Sequence, residues 1–502
     1  MCEVTVIHEA TVRTFEAEEG TSVMDFLRAR VPSFSFPCGG NHTCGKCAVT
    51  IEGKVSARSA AEKKLFRDER VRLACDTLIL GDCGITVSDT EDMRIQTDGD
   101  NEIHPGVPLF SEGYGAALDI GTTTMAAYLY DINGGEPMAA IGEENRQRKY
   151  GADVMTRIAY DNEDPDHALR DMVREQAAEM FGKLAIKAGI RRDQISSAVI
   201  TGNTTMLHLL AGLSVRSIGR APFTPDSYFG EWGEFALPGW PSLKCYLPSC
   251  VSGYVGADIT CGLLAADILN NNKVQLFIDV GTNGEMVLKT TRGLTCCSTA
   301  AGPAFEGCGI SRGSGAVPGA VSHVSLNRGN ISFDVIGNAP AKSVCGSGLL
   351  DAAAVALDLG MIDHKGHLTA AAPNGISLFG ETVIINQRDI RELQLAKGAI
   401  RAGVETLLHY AGMTAEDVDE VLLCGGFGSQ LNPYSAERIG MLPAGHAGKT
   451  RVLGNAAAAG AAKSLLNAED AEKVRTLSKK MECKELSADR YFMKRFIECI
   501  NF

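Results

Sequence analysis

The sequence lacks three features that would place a protein at a membrane, on nucleic acid or outside the cell. No window of eighteen residues is continuously apolar, so no transmembrane helix is predicted. Lysine and arginine number 48 against 61 aspartates and glutamates, and the net charge is −13. This negative net charge argues against nucleic acid or an anionic membrane as the main partner, since both bind a basic face. The first residues also lack the basic region and apolar core of a signal peptide, so a cytoplasmic protein is expected.

Cysteine, by contrast, is abundant. Without an export signal, the sixteen cysteines are expected as reduced thiols or metal ligands rather than disulfides. The stretch FPCGGNHTCGKC contains Cys38, Cys44 and Cys47, and Cys75 follows after 27 further residues. Four thiolates can hold zinc or an iron–sulfur cluster. A structural zinc site usually pairs two CxxC knuckles, whereas this three-plus-one spacing is the plant-type [2Fe–2S] arrangement with one extra residue in the first gap. We predict a [2Fe–2S] cluster on these four cysteines, with zinc as the alternative metal and Cys83 as the alternative fourth ligand.

The residues around the cysteine loop predict a small β-grasp ferredoxin domain over residues 1–90. EVTVI and TVRTF alternate like two strands, TSVMDFLRAR is helix-like, and further strand-like segments follow the loop. The chain is acidic from Asp89 to Glu102, and together with the HPGVP that follows this predicts a solvated linker over residues 91–113. Beyond the linker, ALDIGTTTMAAYLYD and LFIDVGTNGEMVLKT form a weak repeat. We therefore predict two related lobes, residues 114–272 and 273–502, the second ending in helices.

Each lobe opens with an apolar strand that delivers an aspartate, Asp119 or Asp279, to a Gly–Thr turn. Such a turn exposes backbone N–H groups, and its threonine hydroxyls add donors for phosphate oxygens. The aspartate can hold Mg²⁺ or its water. One such turn is often plain turn chemistry, but one in each lobe predicts a clamp for a polyphosphate and its metal. The residues predicted to bind the nucleotide here are Gly121, Thr122, Thr123, Gly281, Thr282, Asn283 and Gly284.

Two further glycine-rich stretches extend the nucleotide-site prediction. VCGSGLLDAAA at 344–354 places a glycine turn before a helix, and VLLCGGFGSQLNP at 421–433 ends a buried strand in glycines. Bare glycine backbone lets a purine and ribose lie against the chain. GHAGKT at 445–450 ends like a Walker A loop but has Pro443 where the first glycine is required, so we discard it. These stretches add Gly346, Ser347, Gly348, Gly425, Gly426, Phe427 and Gly428 to the predicted site.

Two more acids join the two turn aspartates as catalytic candidates. Asp258, in YVGAD, is interpreted as an acid that faces the nucleotide, with a helix N-cap as the alternative. Glu285 lies next to the second turn, where it could orient water. His208 and Arg146 are also candidates, with a satisfied core histidine and a surface arginine as equally good interpretations.

Taken along the chain, the four nucleotide stretches resemble the phosphate-1, phosphate-2, connecting and adenosine motifs of the sugar kinase, chaperone and actin ATPase superfamily (ASKHA). This resemblance implies an α/β multidomain protein in which a two-lobed, actin-like and ribonuclease-H-like ATPase follows the ferredoxin. The fused architecture in turn resembles the reductive activators of corrinoid proteins. Further stretches similar to that family are ENRQRKYGADVMTRI (144–158), TGNTTMLHLLAG (201–212), YVGADIT (254–260) and AGPAFEGCGISRGSGAV (301–317).

The resemblance implies ATP-dependent reduction of inactive Co(II) to Co(I) in the corrinoid protein of a methyltransferase system. One electron would pass through the cluster, with Mg²⁺ accompanying ATP and a low-potential donor supplying the electron. A homodimer is one expected assembly, although longer family members carry an extra segment where this sequence has residues 91–113. Two alternatives stay open: a redox-regulated ASKHA small-molecule kinase, and an electron carrier or scaffold with degenerate ATPase lobes. The intact aspartates and Gly–Thr turns disfavour the scaffold.

Overall fold

The computed structural model describes residues 1–502 except residues 9–10, 32–46, 67, 88–105, 111–112, 234, 328–329, 380–381 and 426–430. The chain forms two compact units. The first comprises Met1–Asp92 and Asn145–Val173, and the second comprises Met93–Glu144 and Arg174–Phe502. None of the helices in the described part of the chain has the length and apolar character needed to cross a membrane.

The first unit contains a five-stranded sheet in the order β2-β1-β5-β3-β4. Strands β1 and β2 form an antiparallel hairpin, and β5 lies parallel to β1. The elements are β1 (Cys2–His8), β2 (Thr11–Ala17), α1 (Val23–Arg30), β3 (Ala48–Val55), α2 (Ala60–Leu65), β4 (Val71–Leu73) and β5 (Ile79–Thr86). Helix α1 starts where Ser22 accepts the N–H of Met24 at 3.2 Å, and it buries Val23, Phe26 and Leu27 in the core of the sheet. The β-grasp prediction is confirmed.

The second unit contains two six-stranded sheets. The first has the order β10-β11-β9-β6-β7-β8. Its strands are β6 (Tyr114–Ile120), β7 (Thr124–Asp131), β8 (Pro137–Glu144), β9 (Ile195–Gly202), β10 (Glu231–Trp232) and β11 (Lys244–Leu247). The helices of this stretch of chain are α3 (Val154–Glu163), α4 (Ala168–Ala188), α5 (Thr204–Ala211) and α6 (Ala257–Ala265), of which α3 belongs to the first unit.

The second six-stranded sheet has the order β21-β20-β12-β13-β14-β22. Two smaller sheets, β16-β15-β17 and β18-β19, accompany it. The remaining elements are β12 (Gln275–Val280), β13 (Gly284–Thr290), β14 (Gly293–Thr299), β15 (Ala320–Asn327), β16 (Asn330–Val335), β17 (Ser343–Val344), α7 (Gly346–Asp358), β18 (Ile376–Phe379), β19 (Val383–Ile385), α8 (Gln387–Ala411), β20 (Glu420–Cys424), α9 (Pro433–Arg438), β21 (Thr450–Val452), α10 (Ala456–Leu466), α11 (Ala468–Lys480), β22 (Glu482–Cys483) and α12 (Arg490–Cys499).

The two large sheets repeat one topology. In the first sheet, β6 pairs antiparallel with β7, β7 antiparallel with β8, and β9 lies parallel to β6. In the second sheet, β12, β13, β14 and β20 are connected in the same way. A fifth strand then lies parallel to the fourth in each sheet, β11 beside β9 and β21 beside β20. The repeat that the sequence predicted is therefore a duplicated, ribonuclease-H-like arrangement, and each copy opens with the same hairpin.

Helices α6 and α10 pack closely because small residues face each other. A Cβ atom added to Gly460 of α10 would lie 1.9 Å from the backbone oxygen of Cys261 in α6. Helix α10 begins at Asn455, whose side chain accepts the N–H of Ala458 at 2.9 Å. The small-residue run NAAAAGAA at 455–462 is thus a tightly packed helix with Asn455 as its N-cap.

Candidate functional site

Two of the predicted cluster ligands, Cys47 and Cys75, lie in the described part of the ferredoxin fold. Cys47 immediately precedes β3, and Cys75 lies in the turn after β4. These strands are antiparallel neighbours, and the N–H of Ala74 donates to the backbone oxygen of Cys47 at 2.9 Å. The two sulfur atoms are consequently 3.3 Å apart. Two thiolates on one tetrahedral metal, each with a metal–sulfur bond of about 2.3 Å, lie roughly 3.8 Å apart, so a small adjustment fits this pair to one metal. Cys38 and Cys44 lie outside the described residues.

Cys83, the alternative fourth ligand, lies elsewhere in the domain. It is on β5, directly opposite Gly53 of β3, and is buried in the core. Gly53 is six residues along β3 from Cys47, which is roughly 20 Å at the usual strand rise. Burial raises the pKa of the Cys83 thiol to about 11. This position favours Cys75 over Cys83 as a partner of Cys47.

The corner that carries Cys75 is organised by a buried carboxylate, Glu62, which was not predicted from the sequence. Arg72 donates to Glu62 through Nε at 3.0 Å and through a terminal guanidinium nitrogen at 3.2 Å. The backbone N–H groups of Ser59 and Leu73 also donate to it, at 2.9 and 2.8 Å. Burial opposes ionisation of Glu62, but these hydrogen bonds outweigh it and lower its pKa. The signal in the sequence was the capping box formed by Ser59 and Glu62 at the start of α2.

The two predicted phosphate turns lie at equivalent ends of the repeated hairpins. Asp119 and Asp279 each occupy the second-to-last position of their strand, β6 or β12. The turn after β6 is tight, because a Cβ atom at Gly121 would lie 2.6 Å from the backbone oxygen of Thr124. In the turn after β12, the N–H of Gly281 donates to the backbone oxygen of Asn283 at 2.9 Å. Gly284, also predicted to bind nucleotide, is buried as the first residue of β13.

The threonines of the two turns are held by side chains from other segments. Asn203 donates to the hydroxyl of Thr122 at 3.0 Å. The hydroxyls of Thr123 and Thr282 both donate to one carboxylate oxygen of Glu306, at 2.7 and 2.8 Å. One threonine from each turn therefore meets a single acid, which brings the two turns together.

Four carboxyl groups cluster at these turns: Asp119, Asp258, Asp279 and Glu285. Burial raises the pKa of Asp119 to about 7, that of Asp258 to about 8 and that of Asp279 to about 6. Burial, together with the charges of Asp258 and Asp279, also raises the pKa of Glu285. Mutual repulsion contributes to the shift of Asp258, since Asp279 and Asp119 oppose its ionisation. The cluster is a place where a divalent cation would relieve unfavourable negative charge.

Contacts to the protein differ among the four acids. Asn455 at the start of α10 donates to Asp119 at 3.1 Å. Asp258 lies in the first turn of α6, whose N-cap is Gly256, so the N-cap interpretation of Asp258 is wrong. Glu285 lies on β13 and accepts a hydrogen bond from Ser298 at 3.3 Å. Among the residues that the structure describes, no three histidine, cysteine or acidic side chains are placed to hold a metal ion by themselves.

The remaining predicted nucleotide residues make close backbone contacts. Gly346, Ser347 and Gly348 are buried at the start of α7, and a Cβ atom at Gly346 would lie 1.8 Å from the backbone oxygen of Phe305. Gly425 has φ of +99°, and a Cβ atom there would lie 2.4 Å from a carboxylate oxygen of Asp279. Gly425 thus lets β20 end directly against Asp279. Gly426, Phe427 and Gly428 lie outside the described residues.

The histidine candidate is a satisfied core residue. His208 is buried in α5, and burial lowers its pKa. Its Nδ1 lies 2.7 Å from the backbone oxygen of Thr204, and its Nε2 lies 3.2 Å from the backbone N–H of Ser227. These contacts fit a neutral ring that donates from Nδ1 and accepts at Nε2. Arg146 lies partly buried in a short helical turn of the first unit.

Three side chains at the turns were not predicted from the sequence: Asn203, Glu306 and Asn455. Two of them, Asn203 and Asn455, start helices as N-caps, which is a sufficient local reason for an asparagine at either position. Their second role, the hydrogen bond to a phosphate turn or its aspartate, depends on contacts between distant segments. Glu306 stands in a stretch that resembled the family, but nothing in its local spacing singled it out.

Fold and site together define a ferredoxin joined to an ASKHA-type ATPase. Residues 6–80 match the 2Fe-2S iron-sulfur cluster binding domain, residues 114–271 match the RACo middle region, and residues 273–502 match the C-terminal domain of RACo, the ASKHA domain.

Similarity to individual proteins extends over most of the chain. The corrinoid activation enzyme RamQ of Eubacterium limosum is 32% identical over 413 residues, which cover 76% of this chain and 69% of that protein. The Co(II) methylated amine-specific corrinoid protein reductase of Methanosarcina barkeri is 27% identical over 413 residues, with 74% of each chain covered. The solved structure of a reductive activator for corrinoid, iron-sulfur protein has a TM-score of 0.71 and 28% identity, covering 100% of this chain and 98% of that one. This chain belongs to the family of reductive activators of corrinoid proteins.

Proposed function

We propose that this protein reductively activates a corrinoid protein at the expense of ATP. It adds one electron to the cobalt of an inactive Co(II) corrinoid and so restores the Co(I) form that accepts a methyl group. The observation that supports this proposal is the presence of two different sites in one chain. A thiol pair with sulfur atoms 3.3 Å apart lies in a ferredoxin fold, and two phosphate turns flanked by acids lie in a duplicated ATPase fold. A simple electron carrier needs the first site alone, and a kinase needs the second alone.

The electron-carrying part of the proposal assigns Cys38, Cys44, Cys47 and Cys75 as ligands of a [2Fe–2S] cluster within residues 1–90. Such a cluster would supply a one-electron carrier with a potential of about −400 mV in its plant-type form. The turn after β4 and the start of β3 hold two of the thiols next to each other, and the Glu62 network fixes that corner. A donor of comparably low potential is required, so we propose a low-potential electron-transfer protein or reductase as the second partner.

The nucleotide part of the proposal assigns residues 114–272 and 273–502 as two ATPase lobes that follow a linker at 91–113. Backbone N–H groups of the two turns bind phosphate oxygens. Asp119 and Asp279 bind Mg²⁺ or its waters, and the cation stabilises their charged forms against the burial that raises the pKa of both acids. Asp258 and Glu285 add negative charge around the same cation and orient its waters.

ATP is needed because reduction to Co(I) is uphill from a plant-type cluster. Each tenfold change in a one-electron equilibrium corresponds to about 59 mV. Nucleotide can shift this equilibrium only if its bound states interact differently with the oxidised and reduced forms of the corrinoid protein. The phosphate turns are therefore the part of the chain that binds and hydrolyses ATP, and the thiol pair belongs to the part that accepts the electron.

The proposal is tested with two variants that each disable one site. The full-length protein is mixed anaerobically with a low-potential reductant, MgATP and a Co(II) corrinoid protein, and the cobalt absorbance is followed. We expect Co(I) with the parent protein, and none with Cys75→Ser or with Asp279→Asn. Asp279→Asn should keep its cluster absorbance, and Cys75→Ser should keep its ATP hydrolysis. Undiminished Co(I) formation by either variant would contradict the proposal, and phosphorylation of a small molecule by the parent would favour the kinase alternative.

A further inference from the structure

Glu306 lies where the two phosphate turns approach each other. Thr123, from the turn after β6, donates its hydroxyl hydrogen to Oε2 of Glu306 at 2.7 Å. Thr282, from the turn after β12, donates to the same oxygen at 2.8 Å. A single anionic oxygen therefore holds one threonine of each repeated hairpin.

The backbone under Glu306 is fixed by its neighbours. Glu306 ends a short helical turn, Pro303–Glu306, and the N–H of the preceding Gly302 donates to the backbone oxygen of Thr282 at 3.0 Å. Phe305 is fully buried in the core. Gly307 has φ of +70°, and a Cβ atom there would lie 2.2 Å from the backbone oxygen of Ser314. The backbone of Glu306 is thus held in place, so its carboxylate can move only by rotation about the side-chain torsion angles.

The chemistry of these contacts makes the carboxylate a competitor of phosphate. A hydroxyl group has one hydrogen, so it donates to one acceptor at a time. A phosphoryl oxygen can receive the hydrogen bonds of Thr123 and Thr282 only if it replaces Oε2 of Glu306. Both acceptors are anionic, so a phosphate that approaches the turns is also repelled by the carboxylate while it remains in place.

We propose that Glu306 is a positioning residue that bridges Thr123 and Thr282 and competes with a phosphoryl oxygen of the bound nucleotide for their hydroxyls. This inference rests on the proposed MgATP binding at the two turns. The affinity for nucleotide is then reduced, because the hydrogen bonds to Glu306 are broken as those to the phosphate form. The same displacement releases Glu306 from both turns at once, so nucleotide occupancy is linked to the contact between the two hairpins.

If Glu306 competes with the nucleotide phosphate, removal of its charge should tighten MgATP binding. Glu306→Gln keeps the size and one acceptor oxygen but loses the charge, and Glu306→Ala loses both. Loss of the competing charged acceptor should lower the dissociation constant of MgATP about tenfold in Glu306→Ala, with Glu306→Gln between it and the parent. Glu416→Gln is the matched control, because Glu416 is exposed in the same half of the chain and its loss should leave binding unchanged.

The experiment is calorimetric titration of the full-length parent and variants with MgATP, accompanied by ATP turnover and thermal unfolding. The expected result is a dissociation constant of MgATP that is lowest in Glu306→Ala, intermediate in Glu306→Gln and highest in the parent. Weaker or unchanged MgATP binding in both variants would overturn the inference. A hundredfold or larger loss of ATP turnover at an unchanged dissociation constant would also overturn it, because Glu306 would then be a catalytic group. A folded parent that binds no MgATP would instead overturn the proposed function itself, so the two failures are distinguishable.

Discussion

Replacement of Glu62 by alanine should remove the support of the corner that carries Cys75. Glu62 is fully buried and Arg72 is 3% exposed, and the two are joined by two hydrogen bonds of 3.0 and 3.2 Å. The variant leaves the guanidinium of Arg72 buried without its counter-charge, which costs about 3–5 kcal/mol. The backbone N–H groups of Ser59 and Leu73 lose their acceptor at the same time. Since a small domain has a free energy of unfolding of about 5–15 kcal/mol, this loss is a large fraction of the total.

The assay follows the visible absorbance of the iron–sulfur cluster during anaerobic heating of the full-length protein. We expect the midpoint of cluster loss to fall by at least about 10 °C in Glu62→Ala, with a smaller fall in Glu62→Gln, which preserves the side-chain volume but not the charge. ATP hydrolysis should be unaffected at temperatures below that midpoint.

Glu52→Ala is the matched control in the same domain. Glu52 pairs with Arg70 at 3.4 Å, but both side chains are exposed, so this pair should contribute little. Equal midpoints for Glu62→Ala and Glu52→Ala would refute the conclusion that the buried carboxylate stabilises the Cys75 corner.

Three further predictions concern the ligands, the nucleotide turn and pH. Cys75→Ser should lose the two irons of the cluster while Cys83→Ser keeps them, as measured by iron and sulfide content, and equal iron content would contradict the ligand assignment. Gly425→Val should weaken MgATP binding by about tenfold or more, because the added side chain must displace the Asp279 carboxylate. Gly448→Val is the control and should leave MgATP binding unchanged, since a Cβ atom at Gly448 lies within 4 Å of no other atom. Equal MgATP binding by the two variants would contradict this prediction. Burial raises the pKa of Asp258 to about 8, so the folded protein holds more protons than the unfolded chain between about pH 4 and 8 and loses stability as the pH rises through that window. Mg²⁺ binds the ionised acids, so the rise in unfolding temperature produced by MgATP should be larger at pH 8.5 than at pH 6, and the opposite trend would contradict a cation site at these acids.

The repeat of the two hairpins was predictable because it is a local pattern. An apolar strand, an aspartate and a Gly–Thr turn occur in the same order twice, and the structure places Asp119 and Asp279 at the same position of β6 and β12. The cysteine spacing was equally informative, since ligand geometry restricts which spacings can bind a cluster. Both signals lie within short stretches of chain.

The contacts that join distant segments were not predictable from such patterns. Glu306 is 183 residues from Thr123 and 24 from Thr282, and no local rule connects a glutamate before a glycine to two threonine hydroxyls. Asn455 is 336 residues from Asp119, and its sequence context is fully explained by its N-cap. Asp258 illustrates the opposite error, because a plausible local role, the N-cap, belongs in the structure to Gly256.

The most direct test of the central claim is whether ATP carries the reduction beyond its equilibrium. The full-length protein and a Co(II) corrinoid protein are held anaerobically in a redox buffer fixed at about −400 mV, and the fraction of Co(I) is read from the cobalt absorbance at steady state. We predict a small fraction of Co(I) without nucleotide and a several-fold larger fraction while MgATP is being hydrolysed, which declines when ATP is exhausted. An equal fraction of Co(I) with and without MgATP would contradict an ATP-driven activator.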